Sequence, residues 1–320
     1  HYHNNTEKEI TGFLFPGNHY TLIEIYKPGT QPYPVIENGG HPGYRKLSFT
    51  AGETGDMLIK LKPLKNDFNY INPFFIPENR FIYYEIHKTG LKSDIQLYGL
   101  VLSGVLLMMI LFMVTNYIIN HKQEFLYNAL YSLCMFLLIF LNSTLSRTNS
   151  PFSKLYFSYF DFFLLVTGTI FYITFTRKFL NTKNDYELID KIFKYGERFV
   201  LLLLGIYTYL HFFTSTFLPQ YFLEIIMKIL ILVIGIVFIS LAFKHKKRLF
   251  NYIAAGNAML ILFSVISLFL LLHKIRPVNI FYSSLFYYNT GIVFELAFFL
   301  MGLNYKNRSE IISGIKEQEA

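Results

Sequence analysis

Residues 97–119 form an uninterrupted apolar segment, LYGLVLSGVLLMMILFMVTNYII, which contains no Asp, Glu, Lys, Arg or His. A helix rises about 1.5 Å per residue, so this segment reaches about 34 Å, enough to cross a hydrocarbon layer of about 30 Å. The segment therefore predicts a membrane-spanning helix. With 53% hydrophobic and only 16% charged residues, the chain is also too apolar to form two ordinary soluble domains.

Further apolar segments of about 18 to 24 residues, the usual length of a spanning helix, follow the first one. We predict a bundle of seven spans: Leu97–Ile119, Phe125–Asn142, Leu155–Phe175, Phe199–Leu218, Tyr221–Phe243, Leu249–Leu272 and Ser283–Tyr305. The fourth has the weakest pattern, because it contains Tyr207, Tyr209 and His211.

Lysine and arginine are distributed unevenly between the connecting segments. Residues 120–124, 176–198, 244–248 and the tail after Tyr305 hold fourteen of them, whereas the other set of connections holds four. Because Lys and Arg are retained on the cytoplasmic side, seven spans place the N-terminal region outside and the tail inside. This basic excess lies in the membrane part of the chain, so we expect no nucleic-acid binding.

Residues 1–93 contain short strand-like segments separated by Gly and Pro turns. We predict five strands: Ile10–Phe15, His19–Lys27, Tyr44–Thr50, Asp56–Lys62 and Arg80–Lys88. This pattern indicates a β-sandwich. Five strands are fewer than the eight of a jelly roll, so we expect a partial jelly roll whose remaining strands precede residue 1. The single cysteine, Cys134, excludes an intramolecular disulfide.

Three regions follow from these patterns. Residues 1–93 are predicted to form an extracytoplasmic β-sandwich sensor domain, and residues 94–305 the seven-helix domain. Residues 306–320 form a cytoplasmic tail or coupling segment, either a continuation of the last helix or a frayed end.

Ionisable side chains in or beside the predicted spans are the strongest candidates for a site: Asp161, His211, Glu224, Lys228 and Glu295. Charge in a bilayer is costly and needs a partner or a water-filled cavity. One hypothesis is a polar pocket that receives a ligand or relays a change in the N-terminal region. The alternative, which the cost of intramembrane charge favours, is a structural cluster in which Lys228 pairs with Asp161 or Glu224. Intramembrane asparagines such as Asn257 are interpreted as interhelical hydrogen-bonding groups.

Four residues in or near Gly/Pro-rich loops of the N-terminal region are weaker ligand-binding candidates: Tyr33, His41, Tyr44 and Tyr70. Loop aromatics more often pack than bind. The sequence has no His-Glu-x-x-His, Walker A, Gly-x-Ser-x-Gly or Cys-x-x-Cys motif. We therefore predict no catalytic residue, metal site or cofactor in this chain.

The junction between the two parts has a more specific pattern. A segment FFIPENRFIYYEIHKTG is followed by a span containing Tyr98-Gly99, and then by a span containing Tyr127, Asn128 and Tyr131. This order resembles the bacterial seven-transmembrane receptors with diverse intracellular signalling modules. The resemblance implies a bacterial cytoplasmic-membrane protein, an outer jelly-roll-like domain similar to carbohydrate-binding modules, and a cytoplasmic output module.

The leading hypothesis is a receptor that senses an extracytoplasmic, carbohydrate-like ligand and relays it to a cytoplasmic signalling module or partner protein. One alternative is a transporter or integral-membrane enzyme in which Asp161, Lys228 and Glu295 line a path. Another is a membrane scaffold. Apart from this ligand and this cytoplasmic partner, we expect the protein to contact membrane lipid. The sequence leaves open whether it forms a homodimer.

Overall fold

The computed structural model describes residues 1–18, 20–26, 43–63, 70–146, 150–214, 217–245, 248–273 and 279–319. Two compact units divide the chain. We call His1–Lys92 with Arg147–Phe160 the head unit, and Ser93–Ser146 with Asp161–Ala320 the helical unit. Each unit is described by itself below.

The described strands of the head unit form three small antiparallel sheets, with strand orders β4-β2-β7, β3-β6 and β1-β5. The strands are β1 (Tyr2–His3), β2 (Ile10–Asn18), β3 (Tyr20–Tyr26), β4 (Arg45–Phe49), β5 (Thr54–Gly55), β6 (Leu58–Pro63) and β7 (Tyr70–Pro77). Four of the five predicted strands are present, as β2, β3, β4 and β6. The jelly roll itself stays a prediction.

Strand β2 is buried on both faces. Phe13 and Phe15 belong to one apolar cluster, in which the Phe13 ring lies 4.1 Å from the ring of Phe81. Leu14 lies in a second cluster with Ile25 of β3. A strand covered on both faces has a continuous apolar sequence instead of an alternating one, which explains the run Phe-Leu-Phe at this position.

The predicted strand Arg80–Lys88 is wrong, because these residues lie in helix α1, Glu78–Asn120. Phe81 and Tyr84, three residues apart, both pack on the head core, whereas Ile82 between them is 68% exposed. That spacing is the period of a helix. The aromatic and β-branched residues suggested a strand, and packing on the head core overrides this propensity.

Strand β7 was not predicted. Its sequence contains Pro73 and Pro77, which usually argue against a strand. Among the described strands, β7 pairs only with β2 and lies at the edge of its sheet. Proline is tolerated at an edge because the missing N–H has no second neighbour to bond.

The described residues form eight further α-helices, α2 to α9. They are α2 (Gln123–Leu145), α3 (Pro151–Leu155), α4 (Asp161–Phe179), α5 (Thr182–Asp185), α6 (Glu187–Phe213), α7 (Leu218–His245), α8 (Arg248–Leu272) and α9 (Ser284–Glu319). A π-helical turn, Tyr156–Phe160, joins α3 to α4, and a short 3-10 helix, Ile280–Tyr282, precedes α9.

Six segments of the described helices are long and apolar enough to cross a membrane: Ser93–Asn120, Gln123–Leu145, Pro151–Phe179, Leu218–Val237, Arg248–Leu272 and Ser284–Lys316. They correspond to six of the seven predicted spans. The fourth predicted span, Phe199–Leu218, falls mainly on α6, which is not among the six. Helix α6 carries Glu197, Arg198 and His211 beside its apolar residues, and these lower its hydropathy.

The core of the helical unit is formed mainly by α2, α4, α8 and α9. Gly256 of α8 allows close packing on α9, because a Cβ atom there would lie 2.7 Å from the Phe299 ring and 3.1 Å from the Glu295 carbonyl oxygen. Small residues at helix contacts let membrane helices approach closely. Helix α9 is thus in direct backbone contact with α8 at the level of Glu295.

The helical assignment of the α1 N-terminus can be tested by two alanine substitutions. Phe81→Ala removes a buried ring from the head core and is expected to destabilise the head by about 3 to 5 kcal/mol. Tyr83→Ala should stay within about 0.5 kcal/mol of wild type, because Tyr83 is 76% exposed, whereas a strand would place it on the same face as Phe81. The measurement is unfolding of the purified full chain, followed by limited proteolysis of the head. Equal losses of stability from the two substitutions would contradict a helix at the start of α1.

Candidate functional site

Glu295 lies on α9 and is only 1% exposed. The Tyr131 hydroxyl of α2 donates a hydrogen bond to its Oε2 atom, at 2.5 Å. Within the described residues this is the one hydrogen bond to that carboxyl group. Because Glu295 sits inside a spanning segment and faces the bundle interior, it has the placement typical of functional intramembrane carboxyl groups.

A second polar pair lies beside Glu295. The Tyr172 hydroxyl of α4 is 2.7 Å from Asn257 Nδ2 and 3.1 Å from its Oδ1, and Asn257 belongs to α8. The rings of Tyr131 and Tyr172 are 5.6 Å apart. We call Tyr131, Tyr172, Asn257 and Glu295 the tyrosine network. It connects α2, α4, α8 and α9, and in it Asn257 makes the interhelical hydrogen bond that the sequence suggested.

A cavity of about 510 Å³ opens beside the tyrosine network, and all four of its residues line it. Lys228 of α7 and Tyr288 of α9 also line this cavity. Lys228 and Glu295, two of the ionisable candidates from the sequence, therefore line the same cavity.

The other charged candidates lie around Lys228 or on α6. Glu224 forms an ion pair with Lys228 at 2.6 Å, one turn apart on α7. Asp161 follows the π-helical turn, accepts a hydrogen bond from the Phe162 backbone N–H at 2.7 Å, and interacts electrostatically with Glu224 and Lys228. His211 is on α6, outside the described lining of the cavity.

The N-terminal candidates are only partly covered by the structure. Tyr44 is 5% exposed, and its hydroxyl donates to Glu85 of α1 at 2.7 Å, so it lies in the head core. Tyr33 and His41 lie outside the described residues. Tyr70 lies in β7, but its side chain is not described.

Sequence reasoning did not single out Tyr131, Tyr172 or Tyr288 as site residues. Each lies in a helix with many aromatic residues, and nothing in the local spacing distinguishes a tyrosine that bonds Glu295 from one that faces lipid. The available signal was indirect, since a buried carboxyl group at Glu295 requires a donor on a neighbouring helix.

Ion pairs gather where α2 begins and α9 continues beyond the core. Lys306 contacts Glu124 at 2.9 Å, and Lys122 contacts Glu310 at 2.6 Å and Asn307 at 2.7 Å. We call these five residues the α2–α9 clamp. Both partners of the Lys306–Glu124 pair are less than one-sixth exposed, so this pair is shielded from solvent more than an ordinary surface salt bridge.

Arg177 ties the end of α4 to α6. Its guanidinium contacts both carboxylate oxygens of Asp190, at 3.0 and 3.2 Å, and Glu197 at 2.8 Å. Thr182 donates a further hydrogen bond to Asp190 at 2.8 Å. The bond from Arg177 holds the pKa of the Asp190 carboxyl group below its usual range. Helix α6 is therefore attached to the bundle by a paired, charge-assisted contact.

A family model described as 7TM diverse intracellular signalling matches residues 95–306. The chain belongs to this family. Searches of curated proteins and of solved structures found no match. The resemblance seen in the sequence is thereby confirmed, and the 7TM diverse intracellular signalling match includes the tyrosine network, the cavity and Lys306 of the clamp. With six apolar helices among its described residues, the chain is a multi-pass membrane protein of a transmembrane signalling receptor family.

The Arg177 contact predicts a pH-dependent stability. A carboxyl group whose pKa is lowered in the folded protein stabilises it above the unfolded pKa, and this contribution is lost as the pH falls through the folded pKa. Asp190→Asn should cost about 1.5 to 3 kcal/mol at pH 7, the usual range for hydrogen bonds to a charged group. The difference from wild type should shrink as the pH falls below about 4. Thermal unfolding of the purified chain at several pH values measures both effects.

Glu187→Gln is the matched control, because the Glu187–Lys191 pair on the same helix is largely exposed. It should leave the stability close to that of wild type, because water screens an exposed ion pair. If Asp190→Asn behaved like this control, the Arg177 contact would not hold α6 in place.

Proposed function

We propose that this protein is a receptor of the bacterial cytoplasmic membrane, which senses a ligand with its outer head and relays the change to a cytoplasmic output module. The observation that carries the proposal is α9, one unbroken helix from Ser284 to Glu319. It holds Glu295 in the tyrosine network and Lys306 and Glu310 in the α2–α9 clamp. A change at the network is thus connected to the emerging end of α9 by a single helix.

The unbroken helix α1 supports an input on the other side. Its residue Phe81 packs in the head core, and the same helix continues to Asn120 as the first span. We infer that α1 conveys a rearrangement of the head to the bundle. The ligand belongs to a class that a small aromatic-rich β domain binds, of which the carbohydrates implied by the resemblance are our first choice.

The head lies outside and the tail inside in this proposal, with α6 as the remaining span. The distribution of Lys and Arg supports that orientation, since the segments that contain Lys122 and Lys306 belong to the set of connections that is rich in these residues. The output module, in the same polypeptide or as a partner protein, would contact α9 beyond the clamp. There Ile311, Ile312 and Ile315 are 45 to 53% exposed.

Cysteine labelling tests the orientation. Glu7→Cys places an exposed thiol in the head, and Ser313→Cys places one on the exposed part of α9. A membrane-impermeant maleimide applied to intact spheroplasts should label the first variant, and should label the second only after lysis. The wild-type chain is the control because Cys134, its single cysteine, is buried. Labelling of Ser313→Cys in intact cells would refute the proposed orientation.

Relay through α9 can be tested without knowing the ligand. Tyr131→Phe removes the donor to Glu295 and should change the motion of a spin label at Ser313→Cys in lipid bilayers. The control is Tyr117→Phe on α1, whose half-buried hydroxyl makes no hydrogen bond within the described residues. It should leave the electron paramagnetic resonance spectrum unchanged.

Tyr131→Phe leaves the Glu295 carboxyl group without its donor, which costs about 1 to 3 kcal/mol. If the variant fails to fold, Glu295→Met removes the acceptor of the same hydrogen bond and keeps an unbranched side chain of similar length. A folded Tyr131→Phe or Glu295→Met chain with the wild-type spectrum would refute relay through α9.

A further inference from the structure

The cavity beside the tyrosine network has the size and lining of a ligand site. Its volume of about 510 Å³ lies within the range of about 300 to 1,000 Å³ that is typical of small-molecule pockets. Most of its wall is apolar, with contributions from Leu165, Ile231, Leu260, Leu268 and Ile292. Such a wall takes up hydrocarbon and disfavours a hydrated solute.

Two polar groups of α9 meet this apolar space. Glu295 lines the cavity, is 1% exposed, and has one carboxyl oxygen engaged by Tyr131. Its second oxygen accepts no hydrogen bond from the described residues. Tyr288, two turns earlier on the same helix, also lines the cavity, and its hydroxyl has no hydrogen-bond partner in the described part of the chain. A polar atom of a buried side chain normally has a partner, so the second oxygen of Glu295 points to a ligand. The hydroxyl of the half-buried Tyr288 is a second polar atom available in the same cavity.

The charged side chains around the cavity disfavour both cationic and anionic ligands. Lys228 lines it and would repel a cationic head group, whereas Glu295 would repel an anionic one. Lys228 is already paired with Glu224 at 2.6 Å. A neutral polar group therefore fits this site better than a charged one.

A ligand hydroxyl group could hydrogen-bond to both the second carboxyl oxygen of Glu295 and the hydroxyl of Tyr288. It donates one hydrogen bond, which the second oxygen of Glu295 can accept, and it accepts one, which the Tyr288 hydroxyl can donate. We propose that the cavity binds a neutral lipid alcohol, with its hydroxyl between Glu295 and Tyr288 and its hydrocarbon part along the apolar wall. This inference concerns a site separate from the head, and it holds whether or not the head is the sensor.

Photolabelling of the purified full chain in nanodiscs tests the proposal. The probe is a sixteen-carbon alcohol with a diazirine in its chain, and the matched probes are the acid and the amine of equal length. We expect saturable labelling by the alcohol of peptides from α7, α8 and α9, which excess 1-hexadecanol prevents. Preferential labelling by the acid or the amine would overturn the assignment of a neutral hydroxyl.

Substitution of a wall residue tests the location. Ser264→Phe fills part of the cavity and leaves the Glu295 and Tyr131 side chains unsubstituted. It should reduce saturable labelling about tenfold, which corresponds to about 1.4 kcal/mol. Ser240→Phe makes the same change at an exposed position of α7 and should leave labelling unchanged. Equal labelling of the two variants would overturn the site.

Glu295→Gln tests the acceptor itself. The amide can still accept the hydrogen bond from Tyr131, but it presents a donor to the cavity in place of a carboxyl oxygen. We expect about fivefold to tenfold weaker labelling by the alcohol, the value of one hydrogen bond of about 1 to 1.5 kcal/mol. Wild-type labelling of a folded Glu295→Gln chain would show that the hydroxyl does not bind this group. Thermal unfolding of each variant verifies that it is folded.

Discussion

A polar side chain in the hydrocarbon layer must find its partner inside the protein, because lipid offers none. Glu295 meets this requirement through Tyr131, and the hydroxyl of Tyr172 meets it through Asn257. These bonds join four helices at one level, and Gly256 lets α8 approach α9 closely at that same level. The packing of the helical unit is thus built around the partners that its buried polar groups need.

Other ionised pairs are placed differently. The Lys306–Glu124 and Arg177–Asp190 contacts lie where helices leave the apolar core, and they connect α9 to α2 and α4 to α6. Water is nearer there, so the desolvation cost of each charge is lower than at the bilayer centre. The bundle therefore places these two ion pairs at helix ends, apart from the hydrogen-bonded tyrosine network. An event that alters the centre reaches the ends only through the helices themselves.

Length and hydropathy were sufficient to predict six spans, since each requires only an apolar run of about 20 residues. They were insufficient for α6, whose Glu197 is compensated by Arg177 and Thr174, contacts that sequence alone does not reveal. In the head, local β propensity was misleading at Phe81, where packing against Phe13 selects a helix. Among 35 Phe and 25 Tyr residues, no pattern marks Tyr131 or Tyr172 as site residues, because their hydrogen bonds depend on helices distant in sequence.

The geometry of α9 explains why its two contacts cannot be independent. A helix is axially stiff, and one residue corresponds to a rise of about 1.5 Å. A displacement of that size along the axis would change the 2.5 Å bond from Tyr131 to Glu295 and the 2.9 Å contact from Lys306 to Glu124 together, because Glu295 and Lys306 move with the same helix. Because α2 supplies both partners, a movement of α9 relative to α2 is opposed at the centre and at the clamp at once. Two stable positions of α9 would therefore differ in both contacts, which is the property that a transmembrane relay requires.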